Sequence, residues 1–339
     1  MRHYDMTEIM YRNGRYHYAR ILRWFGAVVL AISLILISTF KLLGPDQDLY
    51  VYLGFLDAGN YTQHKYRFEP AASLFREVAN NDALIFFFLF ALLGIGLKIL
   101  AFYSLSKNFL LVAFYYCVTF YLLHDYTQIR TGVATGIFLL CINDIWQGKW
   151  ARYYLKAFGA VCFHYSALII MLAYPILRVR SRTFFLLLPI AGILLALADA
   201  PINDLIRTLA SWDIRIYNLI RSKQGPPGEI SIFSIFQLSY LFMFGLISVY
   251  CHKLDEIDLT LFKCFSLSLF LYYATIPLHA PVITYRLSEL LLIVTVVLVP
   301  NYIGYFKNRE ALYALVGMYS LFQLYHLLFN VKLLSSVST

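Results

Sequence analysis

Apolar and polar positions divide the chain into long apolar runs joined by shorter polar connections. The runs recur from Ile21 almost to the C-terminus, and as helices they are long enough to cross a hydrocarbon core of about 30 Å. They do not alternate as the strands of a membrane barrel would. The pattern predicts an all-α, polytopic transmembrane helical bundle of about 9–11 membrane segments, with residues 1–339 forming a single integral membrane domain. The predicted segments are 22–43, 83–103, 109–123, 129–146, 155–177, 183–198, 230–250, 261–278, 287–306 and 312–330.

The composition excludes several classes of protein. The chain is 60% hydrophobic and 14% charged, with a mean hydropathy of +0.66, which leaves too few polar side chains for the surface of a soluble domain. The net charge of +9 comes from clusters between the apolar runs, so no nucleic acid is expected as a partner. The five cysteines form no C-x-x-C pair, and the sequence indicates neither a disulfide framework nor a metal site.

The distribution of Lys and Arg predicts which loops face outward. The arginine-rich N-terminus is expected inside, which places the long loop 44–82 outside. Segment 155–177 is followed by the cluster Arg178, Arg180 and Arg182, which also favours the inside. If the segment breaks around Phe163-His164-Tyr165-Ser166, every dense cationic cluster is inside, and loop 199–229 and Arg286 join Arg130 outside. If it spans fully, Arg286 and Arg130 face opposite sides. We favour the break, with outer loops 44–82 and 199–229 contributing the site.

Two arginines beside apolar runs need water, a partner or a function, because a guanidinium near hydrocarbon is costly. Arg130 begins a run in which Gly132 and Gly136 form one GxxxG face, so a neighbouring helix is expected to pack closely there. It is interpreted either as an interfacial residue that snorkels to the membrane surface or pairs with Asp125, or as a site for phosphate or sugar oxygens at a helix N-terminus.

Arg286 is also expected at a helix start. Glu289 follows one turn later, so an intrahelical ion pair between these two side chains is the structural alternative to a role in binding.

Three further residues are candidates for acid–base chemistry. His164 lies deep within an apolar run beside Tyr165 and Ser166, where an imidazole is either hydrogen-bonded structure or part of a site. Asp46 and Glu69 lie in the first outer loop beside proline. Burial there would raise a carboxyl pKa towards the range of a general base.

These motifs occur in an order that resembles the EpsG family of Wzy-type polysaccharide polymerases. The matching pieces are Asp46, Tyr50 and Glu69-Pro70-Ala71 in the first outer loop, Gln128-Ile129-Arg130-Thr131-Gly132-Val133-Ala134, Phe163-His164-Tyr165-Ser166-Ala167-Leu168, and Tyr285-Arg286-Leu287-Ser288.

The resemblance implies a GT-C-like glycosyltransferase of the bacterial inner membrane. It would polymerise undecaprenyl-pyrophosphate-linked oligosaccharide repeat units at the periplasmic face. Its partners would be the lipid-linked glycan donor and acceptor and the lipid bilayer, and the resemblance leaves room for a chain-length regulator protein.

Transfer of a glycan from a lipid diphosphate needs a cation for the leaving group and a base near the acceptor hydroxyl. We assign Arg130 and Arg286 to the diphosphate, Glu69 or Asp46 to the role of base or acceptor binder, and His164 to that of alternative base. With two guanidinium groups available, neither a metal ion nor another cofactor is required. The chain has 28 Tyr against 4 Trp, and amphipathic side chains beside the motifs are expected to contact sugar. They are Tyr50, Gln128, Tyr165 and Tyr285.

Other functions stay open at the level of sequence. An O-antigen ligase, a membrane acyltransferase or another transferase would use the same residue types. A lipid-linked oligosaccharide transporter would show inverted repeats and charges at mid-membrane depth, neither of which is clear in the sequence. A structural membrane protein would leave both arginines without a ligand.

Overall fold

The structure is a computed structural model, and it describes residues 24–57, 68–198, 232, 234–278, 281–307 and 309–334. The predicted outer loop 199–229 and residues 58–67 of the first outer loop lie outside the described residues. Within the described part, the regular structure is helical, and the only extended pairing there is an isolated bridge between Asp46 and Leu334. The all-α prediction is confirmed.

The helices of the described residues are numbered in chain order. They are α1 (Trp24–Thr39), α2 (Leu49–Leu56), α3 (Pro70–Val78), α4 (Ala83–Leu105), α5 (Phe109–Thr119), α6 (Ile129–Gln147), α7 (Trp150–Phe163), α8 (Leu168–Leu177), α9 (Arg182–Leu197), α10 (Ile235–Val249), α11 (Glu256–Thr275), α12 (Pro281–Leu292), α13 (Thr295–Ile303) and α14 (Glu310–Tyr325). A π-helical segment, Tyr121–Thr127, follows α5, another, His326–Asn330, follows α14, and the 3₁₀ turn Tyr165–Ala167 precedes α8.

Polar side chains begin several of these helices. Each accepts a hydrogen bond from a backbone N–H of the first turn, which would otherwise have no partner. These capping residues are Asp82, Asn108, Ser181, Ser234 and Asp255.

The chain is a multi-pass helical membrane protein. Among the described residues, 4 helices are long and apolar enough to cross a membrane, or up to 6 if each bent pair forms one span. Shorter apolar helices of 10–17 residues correspond to the remaining predicted segments. Each predicted segment therefore has a helical counterpart, but several are bent or shorter than the apolar run that predicted them.

Three of the predicted segments are broken. The segment predicted at 109–123 bends by 68° where α5 gives way to the π-helical segment. The segment predicted at 155–177 begins earlier, at Trp150, and is interrupted at His164, whose backbone is extended. This is the break that the cationic clusters favour. The segment predicted at 287–306 begins at Pro281 and bends by 44° between α12 and α13.

The prediction that Arg286 lies at a helix start is therefore wrong. Arg286 lies more than one turn inside α12. Proline is favoured at the first helical position because its missing N–H would have no partner there. The helix therefore begins at Pro281, ahead of the apolar run that marked the predicted segment.

Helix α6 lies at the centre of the bundle. It packs between α4 and α7 and also contacts α11 and α12. The GxxxG prediction is confirmed, because a Cβ added at Gly136 would lie 3.0 Å from the side chain of Leu97 and 3.2 Å from the carbonyl oxygen of Gly94, both on α4. Small residues let the two backbones approach, and van der Waals contact replaces the hydrophobic effect that is absent between helices in lipid.

Candidate active site

Glu69 lies where the loop predicted at 44–82 turns into α3. It occupies the N-cap position with an extended backbone (φ −64°, ψ 155°), which is the conformation that a following proline imposes. Its backbone carbonyl accepts hydrogen bonds from Ala72 and Ser73. Phe68 and Ala72 beside it are buried. The side chain makes no capping hydrogen bond with α3 and is 3% exposed.

The carboxylate of Glu69 joins two distant parts of the chain. Arg130 Nη1 lies 2.5 Å from Oε2. His164 Nδ1 lies 3.1 Å from Oε1, and the backbone N–H of Tyr165 donates to the same oxygen at 3.3 Å. The break between α7 and α8 supplies the last two groups, because an uninterrupted helix would commit that N–H to its own backbone. The tertiary structure therefore assembles an Arg–Glu–His cluster.

The charges of this cluster keep Glu69 ionised. Burial by itself would raise its pKa, but the hydrogen bond with His164 and the positive charge of Arg130 bring the pKa to about 2. The sequence-based expectation of a pKa raised into the range of a general base is therefore wrong for this residue. A carboxylate with a cation on one side and an imidazole on the other is a positioning group and a charge stabiliser.

His164 retains one free ring nitrogen. The residue is 5% exposed, and its Nε2 has no hydrogen-bond partner among the described residues. When Nδ1 carries the proton and donates to Glu69, Nε2 holds a lone pair. This arrangement suits the acceptance of a proton from a bound hydroxyl.

Arg130 is the second residue of α6, as the sequence predicted. Its guanidinium carbon lies 4.7 Å from the ring centre of Phe68 and 5.7 Å from that of Tyr52. Its Nε is buried and has no hydrogen-bond partner in the described part of the chain. The expected alternative, a pair with Asp125, is wrong, because Arg130 pairs with Glu69 and Asp125 with Lys98.

Arg286 faces the same end of the bundle. Its charge acts on His164 and on Asp48, and Arg130 acts on the same two residues. Burial raises the pKa of Asp48, Asp46 raises it further, and the two arginines oppose the rise. Arg286 is exposed, and the ion pairs of the described residues include none between Arg286 and Glu289, so that structural alternative is wrong as well.

Asp46 is tied to a different partner. Its carboxylate lies 2.7 Å from Lys41 Nζ and accepts the backbone N–H of Asp48 at 3.0 Å. Lys41 also donates to the backbone carbonyl of Tyr126. These contacts anchor the exit of α1 to the π-helical segment, and the structure does not bring Asp46 into the Glu69 cluster.

The residues predicted to contact sugar lie on different elements of the described part of the chain. Tyr50 is 71% exposed on α2, Tyr165 follows His164 and is exposed, and the exposed Tyr285 precedes Arg286. Gln128 caps α6, and its side-chain oxygen has no hydrogen-bond partner among the described residues.

A second buried charge cluster was missed by the sequence reasoning. Lys98 Nζ lies 2.8 Å from Asp125 Oδ1 and 2.5 Å from the carbonyl oxygen of Gly132. Tyr116 donates to Asp125 Oδ2 at 2.6 Å. Both ionic side chains are almost fully buried. A lysine within the long apolar run of α4 was the available signal, since such a charge requires a buried partner.

The cations available for an anionic ligand are guanidinium groups. Within the described residues, no three His, Cys, Asp or Glu side chains are grouped as a metal site requires. Two arginines around an imidazole can bind a diphosphate through charge-assisted hydrogen bonds while the imidazole exchanges a proton.

Comparison with known proteins identifies the family to which the chain belongs. A protein-family model described as "EpsG family" matches residues 24–336. The curated proteins and the solved structures compared with the chain gave no match. The GT-C-like architecture therefore stays a prediction.

Proposed function

Because the chain belongs to the EpsG family of membrane polysaccharide polymerases, we propose that it is a glycosyltransferase that joins undecaprenyl-pyrophosphate-linked oligosaccharide repeat units. The reaction would take place at the periplasmic face of the bacterial inner membrane. The outer loop that carries Glu69, the helix break at His164 and both arginines would form the site. Donor and acceptor would be lipid-linked glycans held at the bilayer surface.

One observation carries the proposal: buried polar atoms of the cluster have no partners within the described residues. They are Arg130 Nε and His164 Nε2, and a third such atom, Gln128 Oε1, belongs to the residue two positions before Arg130. Folded proteins rarely leave such atoms unsatisfied, because each costs about 1–3 kcal/mol. A ligand with both acceptor and donor oxygens would satisfy them, and a lipid-linked glycan diphosphate has both.

The proposed reaction step assigns a role to each group. The acceptor hydroxyl gives its proton to His164 Nε2, and its oxygen forms a bond with the anomeric carbon of the donor. The bond between that carbon and the phosphate oxygen breaks, and the electron pair leaves with undecaprenyl pyrophosphate. Glu69 holds the imidazole through Nδ1 and stabilises the imidazolium that forms, as a carboxylate does beside a catalytic histidine.

Arg130 and Arg286 would stabilise the departing pyrophosphate. Negative charge grows on the phosphate oxygen as the glycosidic bond breaks, and a fixed guanidinium lowers the energy of that state more than that of the bound substrate. Two permanent cations can supply the charge that a metal ion provides in other transferases. We therefore propose that the reaction is independent of added metal.

The direct test uses the purified protein in nanodiscs with lipid-linked single repeat units isolated from a strain that lacks this gene. Wild-type protein should produce a ladder of polymer. Arg130→Ala and Arg286→Ala should each reduce the initial rate by at least 10²-fold, as loss of an oxyanion-stabilising group does. Lysine at either position should restore only part of the rate, because an ammonium cannot bind bidentately.

Arg180→Ala is the matched control, because Arg180 is an exposed arginine beyond the far end of α8. It should leave the ladder unchanged. Full-length polymer from both Arg→Ala variants at normal protein levels would refute the mechanism. Accumulation of unattached polymer on undecaprenol in the deletion strain would instead indicate a ligase, and accumulation of single-repeat glycolipid in its periplasmic leaflet would support the polymerase.

A further inference from the structure

A polar cavity lies beside the candidate active site, on the outer face of α3. Its volume is about 580 Å³. The lining consists of the aromatic side chain of Phe55 and polar groups from α3 and the turn that follows it. These are Phe55, Ser73, Arg76, Glu77, Asn80 and Asn81.

Helix α3 presents a different surface in each direction. Phe75 packs on the rings of Phe90 and Phe163, in the interior. Leu74 and Val78 are 55% and 63% exposed and form an apolar stripe. The residues at 73, 76 and 77 follow the helical repeat and form a polar stripe along the cavity, and Asn80 and Asn81 line it from the turn after the helix. A helix with an apolar exposed stripe beside a polar one lies at a membrane surface, where the cavity would face water.

The polar groups of the cavity are held in place. Arg76 Nε donates to Asn81 Oδ1 at 2.8 Å, and the guanidinium carbon lies 5.1 Å from the ring centre of Phe55. Asn80 and Asn81 adopt left-handed backbone conformations (φ 50° and 62°), which asparagine tolerates better than most residues. These two contacts hold the guanidinium of Arg76 in place, and its other N–H groups remain available to a ligand in the cavity.

The cavity and the active site share a wall. The ring of Phe55 stacks on that of Phe68 at 3.8 Å, and Phe68 in turn lies beneath the guanidinium of Arg130. Glu69 caps the same helix, so Ser73 and Glu77 follow it by one and two turns, at roughly 6 and 12 Å along the axis. A ligand that reaches His164 can extend along this helix into the cavity.

We propose that this cavity is a saccharide subsite that binds the part of the acceptor glycan distant from the reacting hydroxyl. Guanidinium, carboxylate, amide and hydroxyl groups together match the mixed donors and acceptors of sugar rings. Glu77 beside Arg76 disfavours a phosphate, and the polar lining disfavours a prenyl chain. The inference rests on the proposed function, because it takes the ligand to be a glycan extended from the reacting end.

The test measures binding separately from polymerisation. Water-soluble fragments of one to four repeat units, released by mild acid from the polymer of the host strain, are titrated by calorimetry into protein in nanodiscs. Wild-type affinity should increase by at least tenfold from one to four repeats, because only longer fragments reach the cavity. Arg76→Ala and Ser73→Trp should abolish that increase and should shorten the polymer ladder.

The two variants change the cavity in opposite ways, so a loss of binding that both share is not explained by one folding defect. Arg76→Ala removes a contact with Asn81, whereas Ser73→Trp adds bulk to the cavity wall. His164→Gln, which removes the proposed base, should keep the full length dependence, and so should the control Arg180→Ala. An affinity independent of fragment length, or equal in wild type and both cavity variants, overturns the subsite. Length-dependent binding without any polymerisation by wild type would overturn the proposed function and support the subsite.

Discussion

His164 Nδ1 and Glu69 Oε1 lie 3.1 Å apart, although 95 positions separate the two residues in the chain. The contact exists because one predicted membrane segment breaks at His164 and because Glu69 caps helix α3 in the loop after α2. It determines which nitrogen of the imidazole is free. It also makes the carboxylate a partner of the histidine and of Arg130, rather than an independent base.

Glu69→Gln should lower the rate of polymerisation strongly without unfolding the protein. The amide can keep one hydrogen bond but carries no charge to stabilise an imidazolium. We expect a loss of up to about 10⁴ in kcat, which is the loss seen when a carboxylate beside a catalytic histidine is replaced by an amide. Initial rates with isolated lipid-linked repeats give the measurement.

The companion prediction is that Glu69→Gln and His164→Gln are not additive. When two residues act as a unit, the first substitution already removes their shared contribution to the rate, so the second adds little further loss. The double variant should therefore be about as active as the weaker single variant. A product of the two separate losses would show that the residues act independently, and the proposed pair would then be incorrect.

The stability of the protein should depend on the charge of Glu69 at acidic pH. Its pKa lies at about 2 in the folded state, against an ordinary value of 4.5. A depressed folded-state pKa adds stability above the unfolded value, and that stability is lost as the pH falls towards the folded value. The melting-temperature difference between wild type and Glu69→Gln should thus shrink as the pH falls from about 5 to about 2. A difference that is constant over this range would contradict the assignment.

Removing one partner of the buried Lys98–Asp125 pair should destabilise the protein more than replacing both partners with apolar side chains. Lys98→Met leaves a buried carboxylate without a cation, which typically costs about 3–5 kcal/mol. Lys98→Met combined with Asp125→Leu should recover much of the loss, because no unpaired charge remains. Thermal unfolding in detergent compares the variants. A double variant less stable than Lys98→Met would show that the pair contributes more than mutual neutralisation.

Gly132→Ala should destabilise the contact between α6 and the π-helical segment. An added Cβ would lie 2.7 Å from the carbonyl oxygen of His124 and 2.8 Å from Asp125 Oδ1. Overpacking of this kind costs about 1–3 kcal/mol. Gly96→Ala is the control, because nothing lies within 4 Å of a Cβ there. Equal melting temperatures for both variants would argue against the close approach.

Removal of divalent metals should leave polymerisation intact. The proposed cations are Arg130 and Arg286, whose charge does not depend on added metal. Initial rates measured with and without excess EDTA should agree within twofold. Loss of activity that Mg²⁺ or Mn²⁺ restores would assign the phosphate charge to a metal and contradict this part of the mechanism.

The sequence by itself determined the membrane character and indicated the polar residues that lie beside the membrane segments. Apolar runs of sufficient length can satisfy their backbone groups in lipid only as helices, so the segments followed from pattern alone. Arg130, Arg286 and His164 stood out because polar groups beside hydrocarbon are costly. Gly132 and Gly136 indicated a close helix contact, although not that α4 was the partner.

Only the tertiary structure decided how these residues work together. The ionisation of Glu69 depends on Arg130 on α6 and on His164 at the break between α7 and α8, and no local pattern encodes that encounter. The same holds for Asp46, whose carboxylate is committed to Lys41, and for Lys98, whose charge is neutralised by Asp125. Apolar length is a property of the chain, whereas a pKa and a free ring nitrogen are properties of neighbours brought together by packing.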